Sequence, residues 1–209
     1  MKNRFLPGIL ALLLVISCSP SVKITNSWKS ENLPQKSYAK IMVVGMLPEK
    51  DRNLRENFEN HMVGDLKSRG YNAVSSLIEL GPKAFENMNE QEVLDKLKDY
   101  GIDAVITIVL LDKQRERYYI PARIYYSPYT IYQRHFWGYY TTIYGRIYTP
   151  GYYIRNTKYF WESNFYDMES RELLYSVQTE SFDPRSVATL SNEYGQMIVN
   201  DLAKKGVLK

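Results

Sequence analysis

Few side chains in this 209-residue sequence could do chemistry, and their spacing argues against catalysis. It has one cysteine, Cys18, and two histidines, His61 and His135. A single thiol excludes an intrachain disulfide framework and any cysteine-based zinc cluster. Two imidazoles are too few for a histidine-rich metal centre. Ser186 and Ser191 fall on a helical pattern, and no Gly-x-Ser-x-Gly nucleophile elbow occurs. His135 follows Arg134 and precedes aromatic residues, with no acidic neighbour in sequence to orient it as a base. His61 lies beside the apolar stripe of a helix and reads as a surface residue. Asp103 and Asp112 flank one strand, where carboxylates can converge, but Asp103 starts that strand and a capping role accounts for it. After the first strand, Gly45-Met46-Leu47-Pro48-Glu49 lacks the glycines of a phosphate loop or dinucleotide fingerprint. The sequence predicts a non-enzyme, with no catalytic residues, no metal and no cofactor.

What the sequence concentrates is aromatic and cationic surface. Thirteen of the nineteen tyrosines lie between Arg117 and Trp161, beside Phe136, Trp137, Phe160 and Trp161. The same stretch holds Arg117, Arg123, Arg134, Arg146, Arg155 and Lys158, and no Asp or Glu. Tyrosine supplies amphipathic contact area at low entropy cost, and arginine stacks on aromatic faces. Four readings compete. The block could be a twisted ribbon packing on itself, or an interface with an envelope protein or a second copy of the chain, since interfaces enrich Tyr, Trp and Arg. It could also be a peptidoglycan or polysaccharide contact, or a membrane-facing loop with aromatics at headgroup level. The partner-binding candidates are Tyr125, Tyr126, Tyr129, Tyr132, Arg134, Trp137, Tyr139, Tyr140, Tyr144, Tyr152 and Tyr153. A net charge of +4 is too small to argue for nucleic acid.

The amino terminus accounts for the lone cysteine. Lys2 and Arg4 precede an apolar run from Ile9 to Ile16, the charged and apolar regions of an export signal. The run is far below the ~20 residues of a permanent membrane span. Leu14-Val15-Ile16-Ser17-Cys18 follows, and it resembles the lipobox of bacterial lipoproteins. That resemblance implies cleavage after Ser17, diacylglycerol on the Cys18 sulfur and a further acyl chain on the new amine. Such chains would bury methylenes worth ~0.8 kcal/mol each, giving stable attachment to a lipid bilayer. Ser19-Pro20-Ser21 has neither the second-position Asp of inner-membrane retention nor an acidic surface-export cluster. By analogy the protein belongs on the periplasmic face of the outer membrane. Loss of residues 1–17 removes Lys2 and Arg4, leaving a mature chain close to charge balance.

The elements that must carry these features follow from periodicity. Residues 18–37 lack periodicity and read as a lipidated terminus and tether, with Trp28 docking on the domain edge. Residues 38–209 read as one domain, with the insertion at about 118–158. Ala39 to Leu47 is a short β-branched run, a buried strand. Asp51 to Arg69 has Leu54, Phe58, Met62 or Val63, and Leu66 at helical spacing, stopped by Gly70. Its other face, with Arg52, Arg55, Glu56, Glu59, Asp65 and Lys67, is predicted to be solvated. Tyr71 to Leu80 reads as a strand and Glu90 to Tyr100 as a helix. Ile102 to Leu111 is a third strand, continuing with more polar character to Ile120. Strand, helix, strand, helix, strand with short connections implies parallel pairing and right-handed crossovers. Beyond the insertion, Tyr159 to Asp167 and Leu173 to Phe182 form a hairpin. A helix then follows, with Asp183 as N-cap and Pro184 in its first turn. The predicted fold is α/β (α+β), a mixed sheet of about five strands packed by three helices, with a long Tyr-rich β-ribbon insertion.

Three stretches resemble small α/β domains of Gram-negative envelope lipoproteins, comparable to the TolB amino-terminal domain and the periplasmic domain of the curli-secretion lipoprotein. They are Gly101-Ile102-Asp103-Ala104-Val105-Ile106, the hairpin from Tyr166 to Ser176, and the helix from Pro184 to Leu208. Arg171 stands where that hairpin usually has glycine, and Tyr175 where it has tryptophan. The resemblance implies a fold and no activity.

Overall fold

The computed structural model describes residues 21–120 and 152–208. They form one six-stranded mixed sheet with four α-helices. In chain order the elements are β1 (Val22–Lys29), β2 (Ile41–Met46), α1 (Arg52–Ser68), β3 (Ala73–Ser75) and α2 (Ser76–Leu80). They continue with α3 (Glu90–Asp99), β4 (Ala104–Ile120), β5 (Tyr152–Asp167), β6 (Leu173–Phe182) and α4 (Val187–Lys204). Across the sheet the strand order is β1-β6-β5-β4-β2-β3. β2 pairs in parallel with both β3 and β4, as the short crossovers require, and the other pairings are antiparallel.

Side-chain alternation along β2 divides the core. Ile41 and Val43 enter the main core with Leu54, Phe58, Met62 and Leu66 of α1 and Leu190, Tyr194, Ile198 and Leu202 of α4. Met42 points the other way, to a smaller cluster with Leu97 of α3, Ile102 and Val105. α1 and α4 therefore cover one face of the sheet, and α3 covers part of the other. Aromatic side chains fill the centre of the main core. The Phe58 ring stacks on Trp161 at 4.3 Å and meets Tyr194 at 5.0 Å. The Tyr194 hydroxyl lies 2.8 Å from that of Ser163. Burial holds the Tyr194 phenol well above its ordinary pKa. Trp161, grouped in sequence with the aromatic insertion, is thus a core residue, and truncating it to Ala should cost ~3–5 kcal/mol.

Local chemistry sets the boundaries. Asn89 and Glu92 form a reciprocal capping box at the start of α3, each accepting from the other's backbone N–H at 3.0 and 2.8 Å. Gly70 and Gly101 follow α1 and α3 with φ of 89° and 67°. In the β5–β6 turn Arg171 adopts φ 63°, a conformation glycine takes without penalty.

Four sequence expectations need correction. The stretch read as tether contains β1, which pairs with β6 along the sheet edge through a bulge between Ile24 and Asn26. Its polar residues are anchored: Ser27 and Tyr175 both donate to Asp201 Oδ2, at 2.7 and 2.8 Å. Trp28 lies on the open face of the sheet and is 49% exposed. Only residues 73–75 of the expected second strand are extended; Ser75 caps a fourth helix, α2, accepting from Ile78 N–H at 3.3 Å. Asp183 has φ 43° and does not cap α4; Ser186 does, accepting from Thr189 N–H at 3.0 Å. The face of α1 expected to be solvated is not uniformly so, because Glu59 is fully buried and Asp65 half-buried.

Candidate functional site

β4 and β5 run on together after the rest of the sheet ends. Beside them, the last β5–β6 pair is Lys158 with Phe182, yet β4 and β5 stay in register to Ile120 opposite Tyr152. The two arms make a two-stranded ribbon with no third strand on either side among the described residues. Alternation puts Lys113, Arg115, Arg117 and Tyr119 on one face, opposite Tyr159, Thr157 and Tyr153. The Lys113 ammonium lies 4.9 Å from the Tyr159 ring centre, and the Arg117 guanidinium 4.9 Å from that of Tyr153. The Tyr119 and Tyr153 rings are 5.0 Å apart, and both residues are more than half exposed. Cations beside aromatic rings in this geometry attract by ~0.5–1 kcal/mol each when exposed.

The opposite face holds the one carboxylate of the outer ribbon. Glu116 accepts from Lys158 Nζ at 3.0 Å and from the Tyr118 hydroxyl. Those two hydrogen bonds draw the Glu116 carboxyl below its ordinary pKa. Its charge is thereby matched, and the Lys113–Tyr119 face is left basic and aromatic.

Of the partner-binding candidates, the described residues include Tyr153, placed as above, and Tyr152, whose backbone pairs with Ile120. Tyr125, Tyr126, Tyr129, Tyr132, Arg134, Trp137, Tyr139, Tyr140 and Tyr144 lie outside the described residues, as do Cys18 and His135. Asp103 accepts from the backbone N–H groups of Ala39 and Lys40 at 2.6 and 3.0 Å. Asp112 accepts from Lys113 N–H and the Gln114 amide. Ser191 donates back to the Val187 carbonyl at 2.8 Å. These side chains are occupied with local structure. Among the described residues no group of His, Cys, Asp and Glu could hold a metal ion. Nor is any helix among them long and apolar enough to cross a membrane.

A second polar centre escaped sequence reasoning. Glu59 of α1 sits under the carboxyl ends of β2 and β3. One carboxylate oxygen accepts from Gly45 N–H and Arg55 Nε, each at 2.8 Å, and from Ser76 Oγ at 3.1 Å. The other accepts from Ser75 Oγ at 2.5 Å and Leu77 N–H at 2.9 Å. Arg55 also donates to the Pro82 carbonyl at 3.0 Å. A Cβ at position 45 would lie 2.7 Å from Arg55 Cγ, so glycine makes room for the pair. A cleft of about 590 Å³ opens beside it, lined by Met46, Glu49, Arg55, Lys83 and Phe85. Every lone pair of Glu59 is used in joining β2, β3 and α2, which makes it a staple and leaves it no vacancy for acid–base work.

No protein-family profile matches this sequence, and no curated protein matches it. Among solved structures the chain is similar to the PelC dodecamer from Paraburkholderia phytofirmans, at 7% identity and a TM-score of 0.46, over 87% of this chain and 96% of that one. It is also similar to the lipoprotein GNA1162 from Neisseria meningitidis, at 15% identity and a TM-score of 0.40, over 79% of this chain and 99% of that one. At this identity and overlap neither says what this chain does.

Proposed function

We propose that the chain is a lipid-anchored envelope protein, held through acylated Cys18. It acts as a non-catalytic binding or assembly module on the periplasmic face of the outer membrane. Its partner is an envelope protein or a second copy of the chain, contacted through the Tyr/Arg-rich insertion. The observation that carries the reading is the paired β4–β5 ribbon, which runs on past the rest of the sheet and leads into the Tyr/Arg-rich insertion. The lipobox-like Leu14–Cys18 segment supports the anchor, and the hairpin and strand motifs support kinship with TolB-like envelope domains. Replacing 122–156 by a short turn tests the module. The sheet should stay folded while co-purifying partners or self-association disappear; unchanged partners and assembly state would refute it. Cys18→Ser tests the anchor, and should release the protein from membranes and abolish palmitate labelling.

A glycan-binding reading draws on a different surface. The open face of the sheet has Trp28 beside Ser176 and Asn164 in one lateral row. In the next, Glu162 accepts from the Asn164 and Gln178 amides at 3.1 and 3.0 Å. A Trp plane beside amides and a carboxylate suits sugar rings. Peptidoglycan pull-down separates the readings: retention lost in Trp28→Ala but kept in the ribbon deletion would favour glycan.

A further inference from the structure

The chain ahead of Val22 and the ribbon are at the same end of the sheet, and the ribbon reaches further than the four residues back to Cys18 could. One lateral row runs Val22, Ser181, Tyr159 and Lys113 across β1, β6, β5 and β4. From Val22 the chain has only Ser21, Pro20 and Ser19 before Cys18. At ~3.5 Å per residue that is a reach of ~14 Å at most. From Lys113 the paired arms continue to Ile120, which at ~3.3 Å per residue is ~23 Å. Ser21 gives no slack, since its N–H and hydroxyl bond Glu193 Oε2 at 2.7 and 2.6 Å. Its carbonyl accepts from Phe182 N–H at 3.0 Å. With this end of the sheet turned to the bilayer, a membrane close enough to take an acyl chain on Cys18 is close enough to meet the ribbon.

The chemistry at this end suits a lipid surface. Lys113, Arg115, Arg117, Tyr119 and Tyr153 form a ribbon face without a carboxylate. Amphipathic rings sit at headgroup level, and Lys and Arg attract anionic lipid at ~1 kcal/mol each near the surface. We infer that the basic–aromatic face of the ribbon arms rests on the phospholipid headgroups of the membrane that holds Cys18. This fixes the orientation of the domain on the bilayer. The inference rests on Cys18 being acylated.

Mature acylated protein has no other cysteine, so an introduced thiol labels one position. Tyr119→Cys and Glu172→Cys, the latter in the β5–β6 turn at the opposite end, would each carry an environment-sensitive fluorophore. The lipidated protein is measured in detergent and in vesicles of phosphatidylethanolamine and phosphatidylglycerol. In vesicles the label at 119 should shift to shorter wavelength and be quenched by headgroup-level quenchers, while the label at 172 stays water-like. Arg115→Glu with Arg117→Glu should abolish that shift. A label at 119 that remains water-like on vesicle-bound protein overturns the inference and leaves acylation standing, with the domain tipped away. A label at 119 equally shielded in detergent-free, unlipidated Cys18→Ser protein overturns it in favour of contact between copies. Protein that carries no lipid and leaves the vesicles refutes the anchor, and the inference falls with it.

Discussion

Replacing Glu59 by Gln removes a charge from the interior while leaving shape almost unchanged, so the result isolates hydrogen bonding. The carboxylate accepts five hydrogen bonds, two of them from backbone N–H groups that cannot turn away. An amide must place its NH2 at one of the two oxygen positions. At the first it would confront Gly45 N–H and Arg55 Nε; at the second it confronts Leu77 N–H, while Ser75 can rotate to accept. The second arrangement costs less, yet it orphans one buried N–H, at ~1–3 kcal/mol, and turns the Arg55 bond from charge-assisted to ordinary. The sum is about 3 kcal/mol, at the lower end of the ~3–5 kcal/mol for breaking a buried ion pair by removing one partner. At ~2–4 °C per kcal/mol for a chain of this size, the midpoint of thermal unfolding should fall by roughly 6–12 °C. Circular dichroism of the detergent-solubilised protein would measure it. Ser75→Ala, which removes one hydroxyl and no backbone partner, should cost about 1 kcal/mol. If Glu59→Gln unfolds within about 2 °C of the parent, the five bonds are not acting as a staple and the argument is wrong.

Two further outcomes concern the seam between α1 and α4. A Cβ at Gly195 would lie 2.5 Å from Asp65 Oδ2 and 3.3 Å from the Met62 backbone, so Gly195→Ala should force the helices apart at a cost of ~1–3 kcal/mol, read by urea unfolding. Among the described residues Asp65 Oδ2 has no hydrogen-bond partner, and burial raises its pKa above the ordinary 3.8, against the pull of His61 and Arg69. A carboxyl raised in the folded state makes the protein lose stability as pH rises through that folded value. Asp65→Asn should therefore be more stable than the parent at pH ~7, with the difference vanishing below pH ~3.8. A gain that persisted in acid would mean the effect is steric.

The sequence revealed elements whose residues are held by strong periodicity, and hid those decided by remote partners. β2, α1, α3 and β6 lie close to their expected positions because apolar spacing and capping residues agree there. β1 was illegible because Asn26, Ser27 and Trp28 break any two-residue pattern; a bulge and the Asp201 carboxylate, far along the chain, make them a strand. α2 is hidden in sequence because Ser76-Leu77-Ile78-Glu79-Leu80 has strand-like composition. Its first turn is held by Glu59 bonding Ser76 and Leu77, which no local window contains. The position of Glu59 among charged neighbours disguised it, since one face of α1 mixes a solvated surface with this buried group. β4 continues to Ile120, as its polar run after Leu111 implies, but aromatic clustering grouped Trp161 with the insertion when the core claims it.

The antiparallel pairing of β1 with β6 has a mechanical consequence. If the chain is held at Cys18, a drag that acts along β1 pulls Val22 away from the body. That direction shears the β1–β6 ladder from Val22 to Lys29, loading its hydrogen bonds together where peeling would break them singly. The Ser21–Glu193 bonds and the Ser27–Asp201 bond share the load by passing it to α4, at two places along that helix. A weak, polar edge strand is in this respect a suitable mooring line, strong along its length though easily lifted from its side.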